Sequence, residues 1–241
     1  MKPSAVAQDY LKLIWSVREW HKDEPVTTTL LAARLGVTAS TASEAVKRLA
    51  ARGLVRHAPY AAIELTPEGE RLALAMVRRH RLLETFLVHT LGFPWDEAHD
   101  DAEVLEHAAS DAFISALDGF LGRPTRDPHG DPIPAADGTV AHPTARPLSD
   151  AVQGARAVVE RISDADPAML RYFAGVGLVP DALVTVLERR DFAGVIVVRV
   201  EAEARDAGAA RGAGEAGADG VGRRVELGDI AAAAVWVSDA A

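Results

Sequence analysis

The sequence has no cysteine, no long apolar run and no excess of positive charge, and each absence removes a class of function. Without cysteine there are no disulfides, no zinc–thiolate sites and no thiol nucleophile, and a reducing compartment suits the chain. No apolar stretch approaches the roughly eighteen residues that a bilayer-spanning helix needs, and the first residues do not follow a charged-then-apolar leader pattern. The expectation is a cytoplasmic protein with no membrane partner. A net charge of −9 over 241 residues argues at first against nucleic acid. The average hides an asymmetry. Residues 1–72 carry ten Lys and Arg against eight Asp and Glu, a local +2, and acids gather in the fifty residues that follow. The remaining composition, 49% hydrophobic and 25% charged, is that of a globular chain long enough for one large domain or two to three small ones.

Hydrophobic spacing divides the chain into elements. Val6, Tyr10, Leu13, Ile14 and Val17 recur at helical intervals. VTTTLLAARLGV reads as a second helix, capped by Thr27 or Thr28 and stopped at Gly36. TASTASEAVKRLAARGLV reads as a third, capped by Thr38 or Ser40 and stopped at Gly53. Two short helices meeting at a glycine turn make a helix-turn-helix, and LVRHAPYAAIELT adds two strand-like runs that suit a β-hairpin wing. Pro67 at the first position of a helix opens a long segment through Met76, Leu83 and Leu91, broken at Gly92-Phe93-Pro94. A helix over Ala98–His107 and another over ASDAFISALDGFLG follow. Residues 123–148, rich in Pro, Gly and Asp, read as a locally stiff linker. Beyond it AVVERIS, ALVTVLERR, FAGVIVVRVE and VELGDIAAAAVWV read as strands of a small all-β domain. The Ala/Gly-rich DAGAARGAGEAGADGVG between the last two reads as a disordered hairpin loop.

The segment His80–His107 concentrates four of the eight histidines and seven acids among Leu, Phe, Val and Trp. On a helix, positions i, i+3, i+4 and i+7 share a face, so His99, Glu103 and Glu106 project together with His107 beside them, and His80 and Glu84 form an i, i+4 pair. A lone His-x3-Glu is commonly a solvated face. Two apolar helices that both carry His/carboxylate spacing are different, because buried carboxylates are costly unless paired or bound to metal. A divalent cation would let them sit among Leu and Phe. With only carboxylates and imidazoles on offer, a hard ion such as Mn²⁺ or Fe²⁺ is favoured on softness grounds.

These motifs, the winged helix, RRHRLLETFL, HDDAEVLEH and DPHGDPIP in this order, resemble the diphtheria toxin repressor and manganese transport regulator (DtxR/MntR) family of metal-dependent transcriptional repressors. The resemblance covers almost the whole chain. It implies an α+β, mostly helical fold in three parts: a winged helix-turn-helix over 1–72, a helical metal-binding and dimerisation domain over 73–141, and, after a linker at 142–158, a small SH3-like β-barrel (FeoA-type) over 159–241. It also implies a primary metal site of Asp9, Glu103, Glu106 and His107. Iron-sensing members have Met and Cys where Asp9 and Glu103 stand, and manganese-sensing members have Asp and Glu, which points to Mn²⁺ with Fe²⁺ second. An ancillary site is implied at His80, Glu84 and His99, with Asp127 and His129 from DPHG and, by position, Asp166. One departure stands out: short manganese regulators carry a ligating Glu one turn after the Asp, and this chain has Lys12 there.

The helix-turn-helix puts Thr38–Leu49 in the major groove. Thr38, Ser40, Thr41 and Ser43 can donate to phosphates or approach thymine methyls, Glu44 can accept from cytosine, and Lys47, Arg48 and Arg56 can meet backbone charge. The expected partners are double-stranded operator DNA and a second copy of the chain, with no small-molecule substrate and no enzymatic activity. Competing readings are an iron-dependent regulator, a winged-helix regulator that senses an organic ligand, and a carboxylate-bridged metalloenzyme, which leaves the helix-turn-helix unexplained.

Overall fold

The computed structural model describes residues 3–20, 24–58, 61–201 and 222–240, so residues 206–221 of the Ala/Gly-rich stretch lie outside the described residues. By contacts the chain separates into two compact units, Met1–Leu83 with Glu103–Phe120 and Ile133–Val140, and Glu84–Ala102 with Leu121–Pro132 and Ala141–Ala241.

The first unit holds α1 (Ala5–Trp20), α2 (Thr28–Arg34), α3 (Ala39–Ala51), β1 (Val55–Arg56), β2 (Glu64–Leu65), most of α4 (Pro67–His89), the second half of α5 (Ala98–Ala108) and α6 (Asp111–Phe120). Its N-terminal helices are punctuated by local chemistry. The Thr27 hydroxyl accepts from Leu30 N at 3.1 Å to cap α2, and Thr38 accepts from Thr41 N at 3.2 Å to cap α3. Leu11, Ile14, Leu31, Val46, Leu49 and Ile63 are all buried in one core, each contributing about 1.5–3 kcal/mol of apolar transfer. β1 and β2 pair antiparallel as the stem of the wing. Gly69 lets the first turn of α4 press on the chain leaving α3, since a Cβ there would stand 1.9 Å from Leu54 O. Thr66 locks the same junction, donating to Gly53 O at 2.7 Å and accepting from Gly69 N at 3.1 Å.

The second unit is built on a six-stranded antiparallel sheet of β3 (Arg146–Pro147), β4 (Arg156–Ile162), β5 (Leu183–Arg190), β6 (Val195–Val200), β7 (Arg223–Gly228) and β8 (Val235–Asp239), in the order β3-β8-β4-β5-β6-β7. Val159, Val184, Val198 and Val237 pack with Phe173 in its core. Among the described residues the ladder ends at β3 and β7, so backbone bonds do not close the SH3-like barrel. The all-β expectation for this region needs correction. PAMLRYFAGV is a helix, α7 (Pro167–Val176), capped by Asp166 and ended at Gly177 with φ +78°; its buried Leu170, Phe173 and Val176 recur every three residues. VELGDIAAAAVWV is β7, a short α8 (Asp229–Ala233) and β8, because a continuous apolar run does not by itself distinguish strand from helix. Residues 142–158, expected as linker, include β3 and the start of β4.

Candidate metal centre

Ligand-type side chains converge in each unit. In the first, Asp9 from α1 meets Glu103, Glu106 and His107 from α5, with one ligand atom of each within 4.8 Å of all the others. The i, i+3, i+4 geometry of α5 aims its three residues together, and α1 brings Asp9 to them from the side away from its buried Leu11 and Ile14. His107 Nδ1 lies 2.9 Å from Oε1 of the buried Gln8. The amide oxygen can only accept, so Nδ1 donates to it, and Nε2 stands 2.8 Å from Asp9 Oδ1. That carboxylate oxygen is buried and has no hydrogen bond of acceptable geometry. Burial pushes Asp9 above the ordinary carboxylate value, against the lowering pull of His107 and Lys12. A buried carboxylate oxygen without a hydrogen bond, facing an imidazole nitrogen and two further carboxylates, fits a divalent cation.

His80, expected in the ancillary set, hydrogen-bonds Glu106 Oε2 through Nδ1 at 2.7 Å. Lys12 reaches the same two glutamates, at 2.5 Å from Glu103 Oε1 and 2.8 Å from Glu106 Oε1. Burial raises the cost of the Glu106 charge, but the His80 hydrogen bond and the Lys12 ammonium hold its carboxyl below the usual range. Burial alone would lower the Lys12 ammonium; Glu106 and Glu103 carry it above its ordinary value instead.

In the second unit two groups share Glu84, which is 1% exposed: Glu84, His99 and Asp164, and Glu84, Asp127 and His129. Asp127 closes a tight loop, its Oδ1 accepting from the backbone N–H of His129 and of Asp131, both at 2.9 Å. The loop is clamped to β4. Ile162 N donates to His129 O at 2.9 Å, Arg161 Nε donates to Asp131 Oδ1 at 2.6 Å, and Gly130 passes so close that a Cβ would stand 2.0 Å from Glu160 O. His129 is fully buried and stacks on Trp95. Its Nε2 donates to Trp95 O at 3.0 Å, and its Nδ1 is buried with no hydrogen-bond partner. Burial would lower this imidazole's pKa, yet Asp127, Glu84 and Asp164 outweigh it and raise it, so the pocket is strongly negative. A buried, unpartnered imidazole nitrogen beside acids fits a cation as well.

Asp166 is in neither group. Its Oδ1 accepts from Ala168 N at 2.8 Å and Met169 N at 3.4 Å as the cap of α7, and the acid beside His99 is Asp164, two residues earlier. Position in the sequence could not separate the two acids, because the helix that claims one of them went unseen. Gln8 and Trp95, which fix the tautomers of His107 and His129, carried no signal beyond their neighbours' identity.

Three family models match in succession: the iron dependent repressor N-terminal DNA binding domain over residues 3–63, the iron dependent repressor metal binding and dimerisation domain over 66–135, and the FeoA domain over 146–213. A solved structure described as a manganese-dependent transcriptional repressor in complex with manganese is 52% identical, covers 97% of this chain and 100% of its own, and superposes with a TM-score of 0.86. The chain belongs to the iron-dependent repressor family. The manganese regulator SloR, 29% identical with full coverage of both chains, superposes with a TM-score of 0.76. The iron-dependent repressor IdeR of Mycobacterium tuberculosis is 39% identical over 127 residues, which is 52% of this chain and 54% of IdeR. The chain thus aligns with about half the length of the curated relatives it matches.

In this family member the outer face of α3 is open. Thr38, Ser40, Thr41, Glu44, Lys47 and Arg48 are exposed, as is Arg56 on β1, and Ser43 is half-buried. Ala42, Ala45, Val46 and Leu49 bury the opposite face. The hydroxyls of Ser40 and Thr41 each lie 2.9 Å from the Thr38 hydroxyl, so three donors cluster at the N-terminal turn of the helix. No helix among the described residues is long and apolar enough to cross a membrane.

Proposed function

We propose that the chain is a manganese-activated repressor that binds operator DNA as a homodimer. The observation that carries this is the convergence of Asp9 on α1 with Glu103, Glu106 and His107 on α5 around an unbonded carboxylate oxygen. The donors are carboxylate and imidazole only, and the chain has no thiolate, which suits a hard ion. Full-length relatives named for manganese support Mn²⁺. Ferrous iron is the second reading, favoured by the name of the relatives that align over about half their length.

The ion supplies positive charge among three carboxylates. The chain's residues do the rest. Asp9, Glu103, Glu106 and His107 would hold α1 against α5, and α1 packs on α2 and α3, so the pose of the DNA-reading helix follows. Without the ion, the Asp9 charge faces Glu103 and Glu106, and the DNA-competent arrangement loses population. Val104 and Leu105 on α5 and Phe113 and Phe120 on α6 are exposed apolar side chains within the stretch matched as a dimerisation domain, and they supply the surface for a second copy. The ancillary ions are assigned to Glu84, His99, Asp127, His129 and Asp164. DNA contacts are assigned to Thr38, Ser40, Thr41, Ser43, Glu44, Lys47, Arg48 and Arg56.

Fluorescence anisotropy tests this, using the full chain and a duplex that the manganese-loaded protein selects from a randomised pool. Binding should tighten about 5–150-fold when Mn²⁺ is added, the range of ordinary coupling energies. Equal affinity with and without Mn²⁺ would leave a regulator of the same fold that senses something else.

A further inference from the structure

Three buried side-chain atoms among the described residues have no hydrogen-bond partner: Asp9 Oδ1, His129 Nδ1 and the Tyr10 hydroxyl. The first two belong to the ligand clusters. The third belongs to neither, and a buried hydroxyl left unpaired is costly unless it serves something. Tyr10 is 2% exposed, and its ring shares one core with Ala42, Ala45, Val46 and Leu49 of α3. A phenylalanine would fill the same space, so packing does not account for the oxygen. The neighbouring helix does. α1 packs on α3, and the charge that α3 brings to bear on this hydroxyl is Arg48. Burial pushes the phenol above its ordinary value, and the Arg48 guanidinium pulls it the other way. Arg48 lies between the buried Ala45 and Leu49 in sequence and is itself exposed, so its stem starts at the edge of the packed face.

We propose that Tyr10 is a positioning residue for DNA binding, its hydroxyl oxygen accepting one N–H of Arg48 while a backbone phosphate takes another. The inference rests on the reading of α3 as the DNA-reading helix. A guanidinium carries five donors in a fixed plane, so donating inward to the phenol leaves outward N–H groups for the phosphate. Holding that plane on the surface of α1 also spares the DNA the whole cost of ordering a long side chain. The hydroxyl touches no DNA itself. It acts through Arg48.

Anisotropy titrations of the full, manganese-loaded chain against its selected duplex test this as a double-mutant cycle. Tyr10→Phe removes one oxygen and should weaken DNA binding about 2–10-fold, an ordinary coupling between residues in contact. Arg48→Ala should weaken it by more and lower the salt dependence by about one phosphate. In the Arg48→Ala background, Tyr10→Phe should change nothing. The thermal midpoint of Tyr10→Phe should not fall, because the hydroxyl has no bond to lose within the chain, and its manganese count should match the parent's. Should Tyr10→Phe fail to fold by circular dichroism, Arg48→Lys takes its place. It keeps the charge but loses the planar fork, and should cost a similar factor at an unchanged salt slope. Parental affinity in Tyr10→Phe or Arg48→Lys, or a Tyr10→Phe loss that simply adds to that of Arg48→Ala, overturns the proposal and leaves operator binding standing. A chain that selects no duplex, or Arg48→Ala that binds as the parent does, removes the reading of α3 at Arg48 and the proposal with it.

Discussion

The two clusters of ligand-type residues solve the same electrostatic problem in different ways. Around Glu106 the chain gathers acids from α1 and α5 and offsets them with the Lys12 ammonium, leaving Asp9 Oδ1 unbonded beside His107. Around Glu84 the acids surround His129, whose Nδ1 is buried without a partner. The first cluster joins separate elements, α1 and α5, so an ion held there would bear on α1, which packs against α2 and α3. The second closes a five-residue loop clamped on β4, a rigid frame that occupation has little room to move. Similar ligands thus suit a switch in one place and a structural site in the other.

Breaking Asp9 and His129 in turn tests that division most severely. Asp9→Ala should abolish the manganese-dependent gain in DNA affinity, a loss of roughly 100-fold at the upper end of ordinary coupling. His129→Ala should remove a bound ion and keep most of that gain. Anisotropy titrations with calorimetric metal counts read both. If His129→Ala erases the manganese response while Asp9→Ala keeps it, the assignment of switch and structural site is reversed.

Gly130 sharpens the comparison from the structural side. Its φ of +91° and its approach to Glu160 O leave no place for a side chain, so Gly130→Ala should cost about 1–3 kcal/mol through strain. Thermal denaturation should show the lower midpoint, and metal counting should show the second cluster impaired with the first intact. A variant with wild-type stability and both ions would mean that the loop tolerates another path over β4.

How much of this was legible beforehand follows from how local each determinant is. The helix-turn-helix could be read because Thr27, Gly36, Thr38 and Gly53 act on their own helices through caps and turns. Glu103, Glu106 and His107 could be grouped because one helix's periodicity aligns them. The ladder that leaves the barrel open, α7, and the preference for Asp164 over Asp166 beside His99 depend on chain segments distant in sequence. Residues 123–148 looked like linker for their Pro and Gly, yet Asp127–Asp131 is among the most tightly bonded stretches, because its partners lie on β4. Lys12 was visible as an oddity one turn from Asp9; that its ammonium enters the cluster is a matter of tertiary packing.

Gln8 supplies the finest test of the contrast. In each cluster one imidazole is oriented by a neighbour that takes its other proton, a side-chain amide for His107 and the Trp95 carbonyl for His129. Only the first can be removed by mutation without touching the backbone. Gln8→Leu leaves His107 Nδ1–H without an acceptor and frees the ring to change tautomer, so manganese affinity at the first cluster should fall by about 10-fold. Saturating manganese should still restore full DNA binding, because all four ligands remain. Gln8→Glu, which keeps an acceptor in place, should recover the affinity. Calorimetry on the two variants separates orientation from packing: a loss shared equally by Leu and Glu would mean that Gln8 only fills space, and the tautomer of His107 would then be set by something other than this hydrogen bond.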